Sequence, residues 1–354
     1  MTNDLHQADE NTGTMEVLDR HQFDVPSLEN YMQEHVEGFE GKISVEEFKG
    51  GQSNPTYKVI TPKQSYVLRR KPPGKLLKSA HAVDREYTVI TALNQTDVPV
   101  PKSYALCEDE DVIGTAFYIM EFKDGRVLWD PAMENSDQDE AKGVYESMNE
   151  SMAKLHSVDP DKIGLSNYGK PGNYVGRQVS RWSKQYLDSE TETIESMNNL
   201  IEWLPNNLPT EKKTGIVHGD YSLTNVMIGK SDPNVIAILD WELSTLGDPC
   251  ADFNYHCLQY TMNPKLADKE YCKQQGIPVI DDYVKIYSER INIDLTEEWD
   301  LYTAYNLFKL AGILQGILGR VRDGTAAHEN AAERASGVRN LSDTAWDLVE
   351  KNFL

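Results

Sequence analysis

The residues best suited to chemistry lie between Ile216 and Tyr255. The stretch opens Ile216-Val217-His218-Gly219-Asp220-Tyr221-Ser222-Leu223-Thr224-Asn225. It continues Val226-Met227-Ile228, then a polar turn, then Val235-Ile236-Ala237-Ile238-Leu239-Asp240-Trp241-Glu242. The turn, Gly229-Lys230-Ser231-Asp232-Pro233-Asn234, is made of strand breakers and tight-turn residues. Two short β-branched runs on either side of it predict a hairpin. In an antiparallel hairpin the start of the first strand lies beside the end of the second. Asn225 and Asp240 are therefore expected at one edge, with Asp220 just before them. Two carboxylates and an amide oxygen would converge there, a hard-oxygen set suited to Mg²⁺ shared with substrate phosphates.

Asp-x-x-x-x-Asn followed by a strand-borne Asp is the order of catalytic groups in kinases. In that order Asp220 takes the base position, and Asn225 and Asp240 take the metal positions. The stretch resembles the aminoglycoside phosphotransferase-like and choline kinase-like small-molecule kinases, in which His-Gly-Asp replaces His-Arg-Asp. The form His-Gly-Asp-Tyr-Ser-Leu-x-Asn, then Leu-Asp-Trp-Glu-Leu-Ser-Thr-Leu-Gly-Asp-Pro, is most similar to one subgroup: the kinase domain of proteins fused to an acyl-CoA dehydrogenase. The resemblance covers roughly residues 48–260. It implies an α+β, bilobal protein-kinase-like fold with an N-terminal antiparallel sheet and a larger, mainly helical C-terminal lobe. We expect an acidic mobile tail over 1–22, a nucleotide-binding lobe over 23–122 and a catalytic and substrate lobe over 123–354.

Upstream, Phe48 to Ile60 reads as strand, turn and strand, with Gly50-Gly51-Gln52-Ser53-Asn54 at the turn. Glycines let a backbone approach a ligand closely. Alone this is a plain hairpin turn. Its place before the next motif makes Gly51, Ser53 and Asn54 candidate phosphate contacts, as the resemblance implies. Tyr66-Val67-Leu68-Arg69 is the third expected strand. Kinases end it on Lys, whereas here the position holds Arg69, which is always charged and makes forked contacts to phosphate or carboxylate. The helix-borne partner is expected to be Glu86, in Ala82 to Ile90, with Val83, Tyr87 and Ile90 facing inward. Tyr104–Cys107 and Phe117–Phe122 read as an antiparallel pair. The resemblance puts the adenine edge against backbone near Glu121 and Phe122, with Met120 behind it.

Farther on, Ala141–Ser157, Val175–Ser189, a helix closing at Leu200–Pro205, Asp282–Arg290, Trp299–Arg320 and Ala326–Phe353 read as helices from their apolar spacing. Asp252 is expected to open a helix and to bond back to the catalytic loop. Glu242 would share a strand face with Asp240.

Composition bounds the rest. A 354-residue chain suits two lobes rather than one small core. No run of about 18 apolar residues suggests a transmembrane helix, and residues 1–20 lack the apolar segment of a signal peptide. A net charge of −22 disfavours nucleic acid and anionic membranes as partners. Cys107, Cys250, Cys257 and Cys272 show neither Cys-x-x-Cys nor zinc spacing, which suits free thiols in a reducing cytoplasm. The expected activity is ATP- and Mg²⁺-dependent transfer of a γ-phosphoryl group to a hydroxyl of a small molecule. By the resemblance the acceptor is a hydroxyacyl-CoA or hydroxy acid, ahead of an aminoglycoside or choline. A catalytically silent nucleotide-binding module is the alternative class, and the intact Asp220, Asn225 and Asp240 argue against it. The missing Arg of His-Arg-Asp and the missing Ala-Pro-Glu argue against a protein kinase.

Overall fold

A computed structural model describes residues 12–49, 54–73, 82–325 and 331–354. The chain divides into two compact units. The first takes residues 1–168, 222–244 and 274–277, and the second takes 169–221, 245–273 and 278–354.

The first unit is built on a six-stranded antiparallel sheet in the order β1-β2-β3-β4-β6-β5. Its strands are β1 (Thr14–Met15), β2 (Ser44–Phe48), β3 (Thr56–Ile60), β4 (Ser65–Arg70), β5 (Ser103–Cys107) and β6 (Phe117–Glu121). Alternation is the cause. On β3, Tyr57 and Val59 are buried while the residues between them are only half-buried. These side chains join Leu68, Phe117 and Ile119 in one core under helix α1 (Val25–His35), which adds Leu28 and Met32. α1 starts cleanly because the Asp24 carboxylate accepts from Ser27 N and Pro26 sits in its first turn. Residues 1–11 of the expected tail lie outside the described residues. The following segment is pinned: Thr14 pairs with Phe48, and His21 Nδ1 lies 2.6 Å from Glu47 Oε1.

Helix α2 (Val83–Leu93) follows, burying Val83, Glu86, Val89 and Ile90. The acidic turn after β5 holds a one-turn helix, Glu110–Ile113, capped by Asp109 and ended by Gly114 at φ 87°. Helix α3 (Gln138–Ser157) buries Val144, Tyr145, Met148 and Met152, and Asp137 caps it. The predicted hairpin is present: β9 (Val226–Gly229) pairs antiparallel with β10 (Val235–Ile238), and β7 (Gly125–Arg126) adds a third strand beside β9. The linker carrying Pro99 ties in by accepting from Ile238 N.

The second unit is mainly helical. It holds β8 (Gly215–Val217) paired with β11 (Thr245–Gly247). Its longer helices are α4 (Tyr174–Ser189), α5 (Glu195–Trp203), α6 (Pro249–Cys257), α7 (Ile280–Ile291), α8 (Trp299–Arg322) and α9 (Val338–Phe353). α4 and α8 approach closely because α8 presents Gly312, Gly316 and Gly319 at the seam. A Cβ on Gly312 would meet Trp182, on Gly316 Gln185, and on Gly319 Ser189 at 2.6 Å. The expected helix over 326–353 is interrupted: residues 326–330 lie outside the description, a single turn spans Ala331–Arg334, and Gly337 precedes α9. Among the described residues, no helix is long and apolar enough to cross a membrane.

Candidate functional site

Arg69 is the last residue but one of β4, and the strand's pairing fixes where that side chain goes. Arg69 lies opposite Tyr118 on β6 and opposite Thr56 on β3. Its Nε is 2.8 Å from Glu86 Oε2, and its Nη2 donates to Asp240 Oδ1 at 2.7 Å. The Nε contact is a charge contact rather than an aligned hydrogen bond. One guanidinium, 9% exposed, thus ties a strand, a helix and the end of the hairpin together. Sequence reasoning named Arg69 and Glu86 as partners, and the structure brings them together. The third member, Asp240, was expected nearby as a metal ligand but not as a partner of Arg69.

Glu86 is almost fully buried and accepts from two neutral donors, Asn54 Nδ2 and Tyr118 Oη, both at 3.0 Å. Burial pushes its carboxyl above the ordinary value, with Asp240 adding to the rise, against the pull of Arg69 and the Tyr118 hydroxyl. Burial alone would weaken the charge on Arg69, but Glu86, Tyr118 and Asp240 outweigh it and drive the guanidinium further toward the charged form. Asn54 therefore serves Glu86 in this structure. Gly51 and Ser53 lie outside the described residues. Arg70, beside Arg69, points elsewhere: it donates to His21 O at 2.8 Å and lies over the Phe23 and Tyr57 rings.

Asp240 takes its position from backbone geometry. It follows β10 at φ 61°, a left-handed conformation that non-glycine residues seldom adopt. The chain then enters a single 3₁₀ turn over Trp241–Leu243. This corrects the strand-face expectation for Glu242, because no strand joins it to Asp240. Trp241 is buried and donates from its indole to Ile238 O at 3.0 Å, which locks the turn. Leu239 N donates to Asn225 O at 2.8 Å. The hairpin thus sets Asn225 beside the residue that precedes Asp240, as antiparallel pairing predicted. An amide and a half-buried carboxylate at one hairpin edge are hard oxygen donors that fit Mg²⁺.

Met120 is buried on β6, opposite Val67. Glu121 N donates to Lys102 O at 2.8 Å, and its carboxylate accepts from Lys102 N at 3.1 Å. Phe122 stacks on Phe48 at 6.5 Å, with Lys58 Nζ 4.4 Å from its ring centroid. One further cluster braces this unit. Arg85 donates to Tyr168 O and Ser244 O at 2.9 and 3.3 Å, and the Tyr168 and Ser244 hydroxyls are 2.6 Å apart.

Asp220 belongs to the second unit. Its loop leaves β8 through His218, which is buried, and Gly219 at φ 88°. Asp252, in the first turns of α6, accepts from His218 N at 2.7 Å and Gly219 N at 2.9 Å. The expected bond back to the catalytic loop is therefore present. The helix cap itself is Asp248, which accepts from Cys250 N at 2.9 Å. Burial pushes the Asp248 carboxyl up to about 6, with Tyr302 Oη donating to it at 2.8 Å. Sequence reasoning missed Lys309 on α8. Its ammonium lies 3.9 Å from the Tyr255 ring centroid, within the field of Asp252 and Asp220. The available signal was a lone lysine inside the apolar run Leu307-Phe308-Lys309-Leu310-Ala311.

Comparison with known proteins gives the family and the fold. A family model described as "Phosphotransferase enzyme family" matches residues 44–300. Acyl-CoA dehydrogenase family member 11 of Rattus norvegicus is 38% identical over 357 residues, covering 98% of this chain and 46% of that protein. The chain spans less than half the length of such curated relatives. A crystal structure from Ralstonia eutropha, provisionally assigned as an aminoglycoside phosphotransferase, is 48% identical, with a TM-score of 0.87 over 93% of this chain and 99% of its own. The aminoglycoside phosphotransferase APH(4)-Ia, solved with AMP-PNP and hygromycin B, shares the fold at 13% identity and a TM-score of 0.59, over 91% of this chain and 98% of that one. The chain has the kinase-like fold of these enzymes and belongs to the phosphotransferase enzyme family.

Proposed function

We propose that this chain transfers the γ-phosphoryl group of ATP to a hydroxyl of a small molecule, with Mg²⁺. The observation that carries the reading is the Glu86–Arg69–Asp240 chain, at 2.8 and 2.7 Å. A permanently charged fork, nine-tenths buried and oriented by a helix carboxylate, is the device that phosphoryl transfer needs beside the α- and β-phosphates. Gly51 and Ser53 are assigned to the phosphate side, Asn54 to holding Glu86, and Met120, Glu121 and Phe122 to the adenine side. Asn225 and Asp240 are assigned to the metal, which when bound offsets the charge on the phosphates.

Asp220 accepts a hydrogen bond from the acceptor hydroxyl and aims its lone pair at phosphorus. As the new P–O bond forms and the bond to ADP breaks, the hydroxyl proton passes to the Asp220 carboxylate. Asp252 holds the backbone of that loop, so Asp220 starts from a fixed place. The acceptor is assigned to the hydroxy acids or hydroxyacyl thioesters, in keeping with the acyl-CoA names of the relatives. The buried thiols, none of them in a disulfide, suit a reducing cytoplasm. The test is Asp220→Asn. It is expected to bind ATP normally and to lose at least about 100-fold in turnover. Turnover within a few-fold of the parent protein rejects the role.

A further inference from the structure

Lys309 is 7% exposed, and its helix otherwise buries Leu307, Phe308, Ala311 and Gly312 around it. Among the described residues its ammonium makes no ion pair and no hydrogen bond. Its near neighbour is the face of Tyr255. An ammonium carries three donors, and burying a cation without partners is costly. A residue with that cost and no bond in return is a candidate for a contact made only when a ligand is present.

Its surroundings say which ligand. Lys309, Gly312, Gly316 and Gly319 recur at helical spacing along the α8 face packed on α4. α4 brings Arg181 to the same place: Trp182 covers Gly312, and the Arg181 guanidinium lies over the Trp182 ring at 5.1 Å. On the other side Tyr255 comes from α6, one turn after Asp252, which holds the loop bearing Asp220. Lys309 therefore lies within the field of Asp220, the carboxylate assigned to the acceptor hydroxyl, with Arg181 as a second cation near it. A cationic acceptor brought there meets like charge. An acceptor carrying an acyl oxygen fills the empty donors.

Resting on the assignment of Asp220 to the acceptor hydroxyl, the geometry points to Lys309, aided by Arg181, as the specificity residue that binds the acyl oxygen of the acceptor. That oxygen is a carboxylate in a free hydroxy acid and a carbonyl in a thioester. Both present the same acceptor chemistry to the ammonium, and the carboxylate adds charge.

The test uses the full chain and ADP release. The probes are C4 to C6 hydroxy acids with the hydroxyl at carbon 2, 3 or 4. Each is compared with its N-acetylcysteamine thioester, with the matching diol that lacks the acyl oxygen, and with choline. The half-saturating concentration is read as stimulation or inhibition of ADP release. At least one acid or thioester is expected to half-saturate at a concentration at least about 10-fold below its diol. Lys309→Met is expected to erase that gap while leaving the diol value and acceptor-independent ATP hydrolysis within about twofold. Lys309→Arg is expected to restore most of the gap. A lower value for the acid than for the thioester identifies the free acid as the ligand, and the reverse identifies the thioester. Equal values for acid, thioester and diol overturn the inference, as does an equal loss for all three in Lys309→Met, or a preference for choline. Nucleotide affinity, measured separately, reads the kinase assignment: its absence in the parent protein sinks that assignment, whereas normal nucleotide binding with no acyl preference sinks only the role of Lys309.

Discussion

Two buried cations, one in each unit, show what partners do to a charge. Arg69 is 9% exposed and Lys309 is 7% exposed. Arg69 has two carboxylates within 2.8 Å and is driven toward the charged form. Lys309 has an aromatic face, with Asp252 and Asp220 acting from farther off, and burial pulls it down to about 8. Equal burial therefore leaves one cation fixed in an ion-paired chain and the other with donors to spare. A fixed cation suits a cosubstrate that is the same in every turnover. A cation with open donors suits the partner that defines specificity.

The sharpest way to break this contrast is to remove a carboxylate. Glu86→Ala strips Arg69 of its best-buried partner and removes a buried acceptor from Asn54 Nδ2 and Tyr118 Oη. Breaking a buried pair costs about 3–5 kcal/mol, so chemical denaturation is expected to show a loss in that range. A loss below about 1 kcal/mol would mean that Arg69 is not held as described.

The smaller effect concerns Lys309 and pH. Its ordinary value is 10.5 and its folded value about 8. Between these values the unfolded chain binds more protons than the folded one, so stability rises with pH across that window. Below about pH 8 the cost of burying the charge is fully present. The difference amounts to on the order of 3 kcal/mol, at 1.36 kcal/mol per pH unit. The groups facing it are Asp220, Asp252, Tyr255 and Arg181. Lys309→Met removes this slope. The stability gap between parent and variant should narrow or change sign from pH 8 to 10, measured by urea unfolding. Parallel pH curves would show that burial does not perturb this lysine.

Much of the first unit was legible because its signals are local. The polar turn at 229–234 forecast the β9–β10 hairpin, and the hairpin alone placed Asn225 beside the end of β10. The apolar spacing of residues 82–90 gave α2 and the inward Val83 and Ile90, whereas Tyr87 is only half-buried and Glu86 was named through the kinase resemblance. The Arg69–Asp240 bond spans 171 residues and depends on a left-handed turn at a non-glycine residue, which no periodicity announces. The same turn undid the strand-face reading of Glu242. The cap of α6 was misplaced by four residues because Asp248 and Asp252 both precede or open the helix, and only packing decides which of them meets the catalytic loop. Lys309 was passed over because a charged residue in a largely apolar helix ordinarily turns outward. Its inward position is set by packing between helices, which brings its ammonium over the Tyr255 ring of α6.

The most direct test of the central claim is calorimetric titration of ATP, with and without Mg²⁺, into the parent protein and Asp240→Ala. The Glu86–Arg69–Asp240 arrangement predicts Mg²⁺-dependent nucleotide binding in the parent protein and its loss in the variant. Unchanged nucleotide affinity in Asp240→Ala, with Mg²⁺ present, would contradict it.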